Sequence, residues 1–198
     1  MQLEAKDVSF RYMPKGSYIL RNLSFSVSEG ERVGIIAPSG AGKTTLVQLL
    51  AGYERPTDGE ILLDGRPLPK KGRLPVQLIS QHPETAVNPR LRMRSVLEEV
   101  GACEPELIKA MGIEEQWLRR YPRELSGGEL QRFCIARALI SDARFIIADE
   151  ISAMLDVISQ AQIWQYLLAE TERRRIGLIA VTHSKALADR VCSRIYKL

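Results

Sequence analysis

The chain has 198 residues, 45% of them hydrophobic, so it can bury the core of one α/β domain but is too short for two large ones. Its 28 basic and 24 acidic residues leave a formal charge of +4, a mild surplus that does not indicate nucleic-acid binding. Three widely spaced cysteines, Cys103, Cys134 and Cys192, predict neither a disulfide framework nor a metal site and fit a reducing, cytosolic compartment. Residues 1–7 lack a signal-peptide pattern, and no apolar run is long enough to span a bilayer.

The N-terminal third alternates between strand patterns and turns. Alternating apolar residues at 3–12 and 23–27 predict two antiparallel strands. An apolar strand at 32–36 follows, and the helical run after it is predicted to end at Gly52. A short strand is predicted at 60–63. The segment 66–75, with three prolines and four basic residues, is predicted to be an exposed loop.

The middle of the chain changes from strand to helix. Residues 76–80 form a buried-strand pattern that ends at Gln81. Residues 82–140 form a helical pattern with breaks at Pro89, Pro105 and Pro122. This segment is predicted to be an α-helical subdomain inserted into a single domain of residues 1–198.

The last third predicts a parallel crossover. Residues 144–149 and 176–182 are buried-strand patterns. Between them, helical spacing recurs at Val157, Ala161, Trp164 and Leu168. Strand, helix and strand in that order predict two parallel strands. The predicted fold class is therefore α/β, with a mainly parallel core sheet, an antiparallel N-terminal β subdomain and the helical insertion.

A run of small residues lies between the strand at 32–36 and the helix after it: Ala37-Pro38-Ser39-Gly40-Ala41-Gly42-Lys43-Thr44-Thr45. Backbone N–H groups of small residues can turn around an anion, and the helix N-terminus adds partial positive charge. In this Walker A pattern Lys43 reaches the β- and γ-phosphates and the Thr44 hydroxyl binds Mg²⁺. The motif has glycine where this chain has Ala37, which would be strained only at a positive φ. A plain glycine-rich turn is the alternative, but it would not need lysine before two threonines.

An acidic pair, Asp149-Glu150, follows the apolar strand at 144–149. Open α/β sheets bind ligands at the edge where such strands end. Asp149 is predicted to hold Mg²⁺ through water, and Glu150 to polarise the attacking water as a general base. By itself the pair is weak evidence, because helix N-caps and turns use the same residues.

A second candidate anion site is Leu125-Ser126-Gly127-Gly128-Glu129, which precedes a long helical run. With this segment the sequence resembles the ATP-binding-cassette (ABC) ATPases, whose motifs occur in the same order over nearly the whole chain. The resemblance implies a P-loop NTPase fold. It also implies that Ser126, Gly127 and Gly128 of one subunit close over the γ-phosphate held by another. A flexible Gly-Gly cap is the alternative and accounts for the glycines alone.

The resemblance implies further single-residue roles. Tyr12 would stack on adenine, and Gln81 would link Mg²⁺ or water to the helical subdomain. His183 would contact the γ-phosphate, and Asp156 would end the nucleotide-binding D-loop. On local evidence Tyr12 is equally well a core residue at a strand end, and His183 a surface or N-cap residue. The chain departs from the family at Ile151, where proline is usual, and at residues 153–156, where Ser-Ala-Leu-Asp is usual.

Residues 81–89 and 121–128 resemble the peptide and nickel importer branch, although His82 and Val87 depart from it and the chain ends at Leu198 without that branch's C-terminal extension. The resemblance implies a Mg²⁺-dependent ATPase subunit on the cytoplasmic face of the cell membrane. Its implied partners are a second ATPase subunit, identical or paralogous, and integral membrane permease subunits; the transported solute would not contact this chain.

Two alternatives to a transport ATPase stay open. One is a soluble ABC ATPase acting on DNA or ribosomes, disfavoured because no heptad array lies between residues 45 and 125. The other is a degenerate, non-catalytic half of a heterodimer. Ala37, Ile151 and the altered D-loop favour it, and Glu150 and His183 oppose it. A GTPase is disfavoured because no Asn-Lys-x-Asp motif is present.

Overall fold

A computed structural model of the chain describes residues 1–69, 72–102, 104–152 and 155–198. Cys103, the first two residues of the predicted D-loop and two lysines of the predicted loop at 66–75 lie outside the described residues. The chain forms two compact units. The sheet unit contains Met1–Leu78, Arg144–Asp149 and Thr171–Leu198, and the helical unit contains Ile79–Ala143 and Glu150–Glu170.

The strands in chain order are β1 (Gln2–Phe10), β2 (Leu20–Ser28), β3 (Arg32–Ile36), β4 (Asp58–Leu63), β5 (Arg66–Pro67), β6 (Val76–Ile79), β7 (Phe145–Asp149), β8 (Gly177–Val181) and β9 (Arg194–Lys197). The α-helices are α1 (Lys43–Leu50), α2 (Met93–Glu98), α3 (Pro105–Ala110), α4 (Gly127–Ile140), α5 (Val157–Arg173) and α6 (Lys185–Val191). In the part of the chain that the structure describes, three short 3-10 segments occupy Pro83–Thr85, Glu115–Arg119 and Pro122–Glu124. No helix among the described residues is long and apolar enough to cross a membrane.

The sheet unit contains the predicted antiparallel sheet, in the order β2-β1-β4-β5. The predicted pairing of the first two strands is confirmed, with Leu3 opposite Val27 and Ala5 opposite Phe25. The prediction of a loop over 66–75 is wrong at its first two residues, which form β5 and pair with the end of β4. Asp64 and Gly65 both have positive φ, 49° and 70°, and this geometry closes a tight hairpin.

The second sheet, in the order β6-β7-β8-β3-β9, confirms the predicted mainly parallel core. Strands β7 and β8 are parallel and buried along their whole length, as the predicted crossover through α5 requires. Strand β3 lies between β8 and β9 and is parallel to both. Helix α1 contributes Leu46, Leu49 and Leu50, all fully buried, to the core of this unit.

The buried face predicted for α5 is wrong at Val157 and Ala161 and correct at Trp164. Val157 is 80% exposed and Ala161 is also exposed, whereas Ile163, Trp164 and Leu167 are buried. Helical spacing cannot distinguish neighbouring stripes. Polar contacts fix the rotation instead, because the Ser152 hydroxyl accepts hydrogen bonds from Gln160 Nε2 at 2.7 Å and Trp164 Nε1 at 3.2 Å.

In the helical unit, the residues predicted to be helical form α2, α3, α4 and the three 3-10 segments. Pro105 and Pro122, predicted as breaks, each stand at the start of a helical segment, where a missing N–H costs no intrahelical bond. The unit also includes residues 150–170, which the sequence pattern did not group with it.

Candidate functional site

The loop between β3 and α1 has the backbone expected of an anion-binding turn. Gly40 and Gly42 have φ of +80° and +92°, and Gly42 is the N-cap of α1. A Cβ on Gly42 would lie 2.8 Å from Leu20 Cδ2, so this position needs glycine for space as well as for conformation. Ala37 is not among the residues with positive φ. Alanine is therefore unstrained where the Walker A motif has its first glycine.

The Lys43 ammonium lies against this loop. Its Nζ donates to Ala37 O at 2.7 Å and to Pro38 O at 3.0 Å. An ammonium has three N–H donors, so one remains for an anion. No side chain caps the N-terminus of α1 in the described structure, and the first N–H groups of a helix have no intrahelical acceptor. This set of cationic and N–H donors fits a polyphosphate.

The two threonines after Lys43 differ in environment. Thr44 is exposed, and Thr45 is buried. The Thr45 hydroxyl lies 3.4 Å from the hydroxyl of Tyr12, whose side chain is 58% exposed and whose ring meets Phe10 edge to face at 4.9 Å. Contact with Thr45 places this exposed aromatic ring beside α1. Its stacking on adenine stays a prediction.

The sheet edge next to the loop carries Asp149 and His183. Asp149 pairs with Val181 across β7 and β8, and Ile35 pairs with Val181 from the other side. The Thr182 N–H donates to Ile35 O at 3.3 Å, so the chain that leads to His183 leaves beside the end of β3. Asp149 is 6% exposed. The carboxyl ends of three parallel strands thus meet at this edge, as predicted for a ligand site in an open α/β sheet.

In the helical unit, the structure brings Gln81 and Glu150 together. Gln81 Nε2 donates to Glu150 Oε2 at 3.2 Å. Glu150 adopts a φ of +49°, a conformation that non-glycine residues rarely take and that is found preferentially at functional sites. The sequence indicated both residues but not their contact, which joins positions 69 residues apart.

Ser126 and Glu129 form a capping box at the start of α4. Ser126 Oγ accepts from the Glu129 N–H at 3.3 Å, and Glu129 Oε2 accepts from the Ser126 N–H at 2.6 Å. The hydrogen bond from the Ser126 N–H holds the pKa of Glu129 below its usual range, so this carboxylate is ionised at neutral pH. The adjoining cleft is about 480 Å³ and is lined by Trp117, Ser126, Gly127, Gly128, Glu129, Arg132, Leu155 and Asp156.

Asp156 caps helix α5. Its Oδ1 accepts from the N–H groups of Ile158 at 3.1 Å and Ser159 at 3.0 Å. Hydrogen bonds from the Ser159 side chain and backbone lower the pKa of Asp156. Asp156 thus orders the end of the D-loop beside Gly127 and Gly128. Contact of its carboxylate with nucleotide stays a prediction.

A pair of glycine substitutions separates conformation from crowding in the phosphate loop. Both Gly40→Ala and Gly42→Ala place alanine at positive φ, which destabilises by about 1 kcal/mol. Only Gly42→Ala also crowds Leu20, since a Cβ on Gly40 meets nothing within 4 Å, and overpacking costs about 1–3 kcal/mol more. We expect thermal unfolding to show the larger loss for Gly42→Ala. Equal losses would contradict this account.

A phosphate-binding loop between a parallel strand and a helix, with aspartate at the end of another strand of the same sheet, defines a P-loop NTPase. A family model described as "ABC transporter" matches residues 20–153. The nickel import ATP-binding protein NikE of Escherichia coli O6:K15:H31 (strain 536 / UPEC) is 32% identical over 219 residues, covering 98% of this chain and 82% of that protein. The chain belongs to the ABC transporter family, as its ATPase component.

Solved structures agree with this assignment. The dimeric structure of MJ0796, a bacterial ABC transporter cassette, superposes with a TM-score of 0.85 at 28% identity, covering 99% of this chain and 94% of that one. The same cassette in a dimeric post-hydrolysis state, bound to ADP and Pi, gives a TM-score of 0.85 at 27% identity with the same coverage. The predicted family, fold and ATPase activity are therefore confirmed.

Sequence reasoning missed the polar side chains through which α4 contacts its surroundings. Arg132 donates to Met111 O and to Ser159 Oγ, both at 2.7 Å. Gln131 is 2% exposed and donates to Ser80 O at 3.3 Å. The available signal was the polar pair Gln131-Arg132 within a helix otherwise rich in buried apolar residues.

Proposed function

We propose that this chain hydrolyses ATP to power import of a solute and pairs for this with a second ATPase subunit, the same chain or a paralogue. The observation that carries the proposal is the presence of two separate segments with the geometry of anion sites. The phosphate loop belongs to the sheet unit, and the Ser126 to Gly128 segment opens a cleft in the helical unit. A nucleotide bound by a single subunit does not need both segments. In a pair of subunits, the second segment would contact the nucleotide held by the partner. The dimeric form of the MJ0796 cassette supports this reading.

The proposal assigns separate residues to the phosphates, the base and Mg²⁺. Residues 39–43 surround the phosphates with N–H donors and the Lys43 charge, and Tyr12 offers its exposed face to the base. Thr44 and Asp149, both in the sheet unit, are the groups proposed to hold Mg²⁺, which when bound would neutralise charge that develops on the phosphates. The hydroxyl and carboxylate oxygens of these two residues suit that ion, and a contact of Gln81 with it stays a prediction. The described residues contain no cluster of three or more His, Cys, Asp or Glu that could hold a metal.

Hydrolysis is assigned to three residues. Glu150 takes a proton from the attacking water as general base, and the amide of Gln81 holds the Glu150 carboxylate. His183 stabilises the γ-phosphate from the end of β8. On the opposite subunit, Gly127 and Gly128 offer N–H groups, and Ser126 its hydroxyl, to the same phosphate. The retained Glu150, together with the unstrained Ala37, supports a catalytic subunit over a degenerate one.

The proposed partners are permease subunits at the cytoplasmic face of the cell membrane, contacted by the helical unit. The nickel import function named for the NikE relatives makes nickel complexes, with short peptides, the solutes to test first. No contact between solute and this chain is proposed.

Crosslinking tests the transport assignment. Arg90→Cys and Glu98→Cys place thiols on exposed positions of the helical unit, and Lys6→Cys places one on the exposed surface of the sheet unit as a matched control. In native membranes we expect Arg90→Cys and Glu98→Cys to crosslink to an integral membrane protein with a yield well above that of the parent chain. Lys6→Cys should give no more of this crosslink than the parent chain. Copurification with ribosomes or DNA and no membrane-protein crosslink would replace the transport assignment with a soluble ATPase.

A further inference from the structure

Helix α4 is joined to the segment after β6 by three side-chain hydrogen bonds along one stripe. Gln131, Cys134 and Arg137 are spaced three residues apart, which places them on neighbouring turns of one helix face. Their acceptors are also three apart: Gln131 Nε2 donates to Ser80 O at 3.3 Å, the Cys134 thiol to Pro83 O at 3.8 Å, and Arg137 Nη1 to Ala86 O at 3.2 Å. The segment 80–86 therefore runs along α4 in a fixed register.

The first of these bonds lies next to the proposed catalytic groups. Ser80 is the residue before Gln81, and Gln81 Nε2 donates to Glu150 Oε2. A chain of contacts thus runs from Gln131 through the Ser80 backbone to Gln81 and Glu150. Ser126 is the N-cap of helix α4, so the same helix carries the second candidate anion site at its N-terminus.

We propose that Gln131 is a positioning residue for ATP hydrolysis: its bond to Ser80 O fixes the backbone from which Gln81 reaches Glu150. The inference rests on the roles proposed above for Gln81 and Glu150. Gln131 is 2% exposed, and an amide buried so fully is tolerated because its hydrogen bond compensates for lost hydration. A leucine of similar volume would fill the same space, so the amide is best explained by the backbone that it holds.

The other two bonds of the stripe are suited to packing rather than to catalysis. Burial raises the pKa of the Cys134 thiol to about 12, so it stays protonated and is only a weak donor. Arg137 is also within 3.7 Å of Glu99 and bonds Ala86, five residues beyond Gln81. Arg137→Met removes a side-chain bond to the same segment but far from Gln81, and it is the matched control.

The test compares Gln131→Met, nearly isosteric but without a donor, with Arg137→Met, each assayed with its ATPase partner present. We expect Gln131→Met to lower kcat by about 5- to 30-fold, the range that corresponds to losing about 1–2 kcal/mol of transition-state stabilisation. KM for ATP should change less than about twofold, since ground-state binding of the phosphates belongs to another segment. Arg137→Met should lower the melting temperature with kcat within about twofold of the parent.

A double-mutant cycle separates positioning from general support. If Gln131 acts through Gln81, then adding Gln131→Met to Gln81→Ala should lower kcat no further. Equal losses in both backgrounds, or a Gln131→Met enzyme with parental kcat, would overturn the inference while leaving the proposed function intact. Parental kcat in Gln81→Ala would remove the proposed role of Gln81, and the inference with it. Gln131→Leu carries the same expectations and replaces Gln131→Met in the cycle should that variant not fold.

Discussion

Lys43→Ala should bind ATP about 10- to 150-fold more weakly than the parent chain, because a hydrogen bond to a charged group contributes about 1.5–3 kcal/mol. The Lys43 ammonium lies against the phosphate loop, where it donates to Ala37 O and Pro38 O. Nucleotide binding would use its remaining N–H and its charge. Isothermal calorimetry gives the affinity directly. Unchanged ATP affinity would contradict the assignment of the loop.

Because Lys43 donates two hydrogen bonds to carbonyls of the phosphate loop, its replacement needs a control that measures folding stability. Removing the side chain leaves the Ala37 and Pro38 carbonyls to water, which costs little because Lys43 is only partly buried. We therefore expect the melting temperature of Lys43→Ala to stay within a few degrees of the parent. Lys43→Arg keeps the charge and should lose less affinity than Lys43→Ala. A collapse in melting temperature would assign the lost affinity to unfolding.

The phosphate loop was predictable from sequence because its chemistry is local. Small residues, a lysine and a strand-to-helix transition lie within a few consecutive positions, and the structure places them between β3 and α1. The strand ending at Asp149 was also predictable, because its short, continuous apolar run is typical of a buried strand. Ala37 shows the limit of motif matching, since its backbone angle, and not its departure from the motif, decides whether it is tolerated.

The features that sequence did not predict depend on contacts across long separations. The face of α5 is fixed by hydrogen bonds to Ser152, and apolar spacing alone assigned the exposed residues Val157 and Ala161 to it. Strand β9 has only four residues, none fully buried, so it lacks a buried-strand pattern and forms by pairing with β3. Gln131 is joined to Ser80 over 51 residues. Hydrophobic periodicity indicates which residues of one segment are buried, whereas these features depend on contacts with residues distant in the chain.

Glu150→Gln should slow ATP hydrolysis by a factor of about 10² to 10⁴, the usual loss when a general base is removed, and leave ATP affinity unchanged. Glutamine keeps the size of the side chain and an acceptor oxygen, so the bond from Gln81 Nε2 is retained while the ability to take a proton is lost.

Because hydrolysis would dissolve an ATP-bridged pair, the Glu150→Gln variant should accumulate as an ATP-bound dimer during size-exclusion chromatography, with a paralogous partner added if the chain does not pair with itself. In that background Ser126→Ala removes the α4 cap without adding bulk and should still form the dimer. Ser126→Arg adds bulk and should block the dimer by crowding the γ-phosphate. With the right partner present, parental turnover in Glu150→Gln would remove Glu150 from catalysis. A Glu150→Gln variant that stays monomeric in saturating ATP would refute the bridged site, because no nucleotide would then be shared between two subunits.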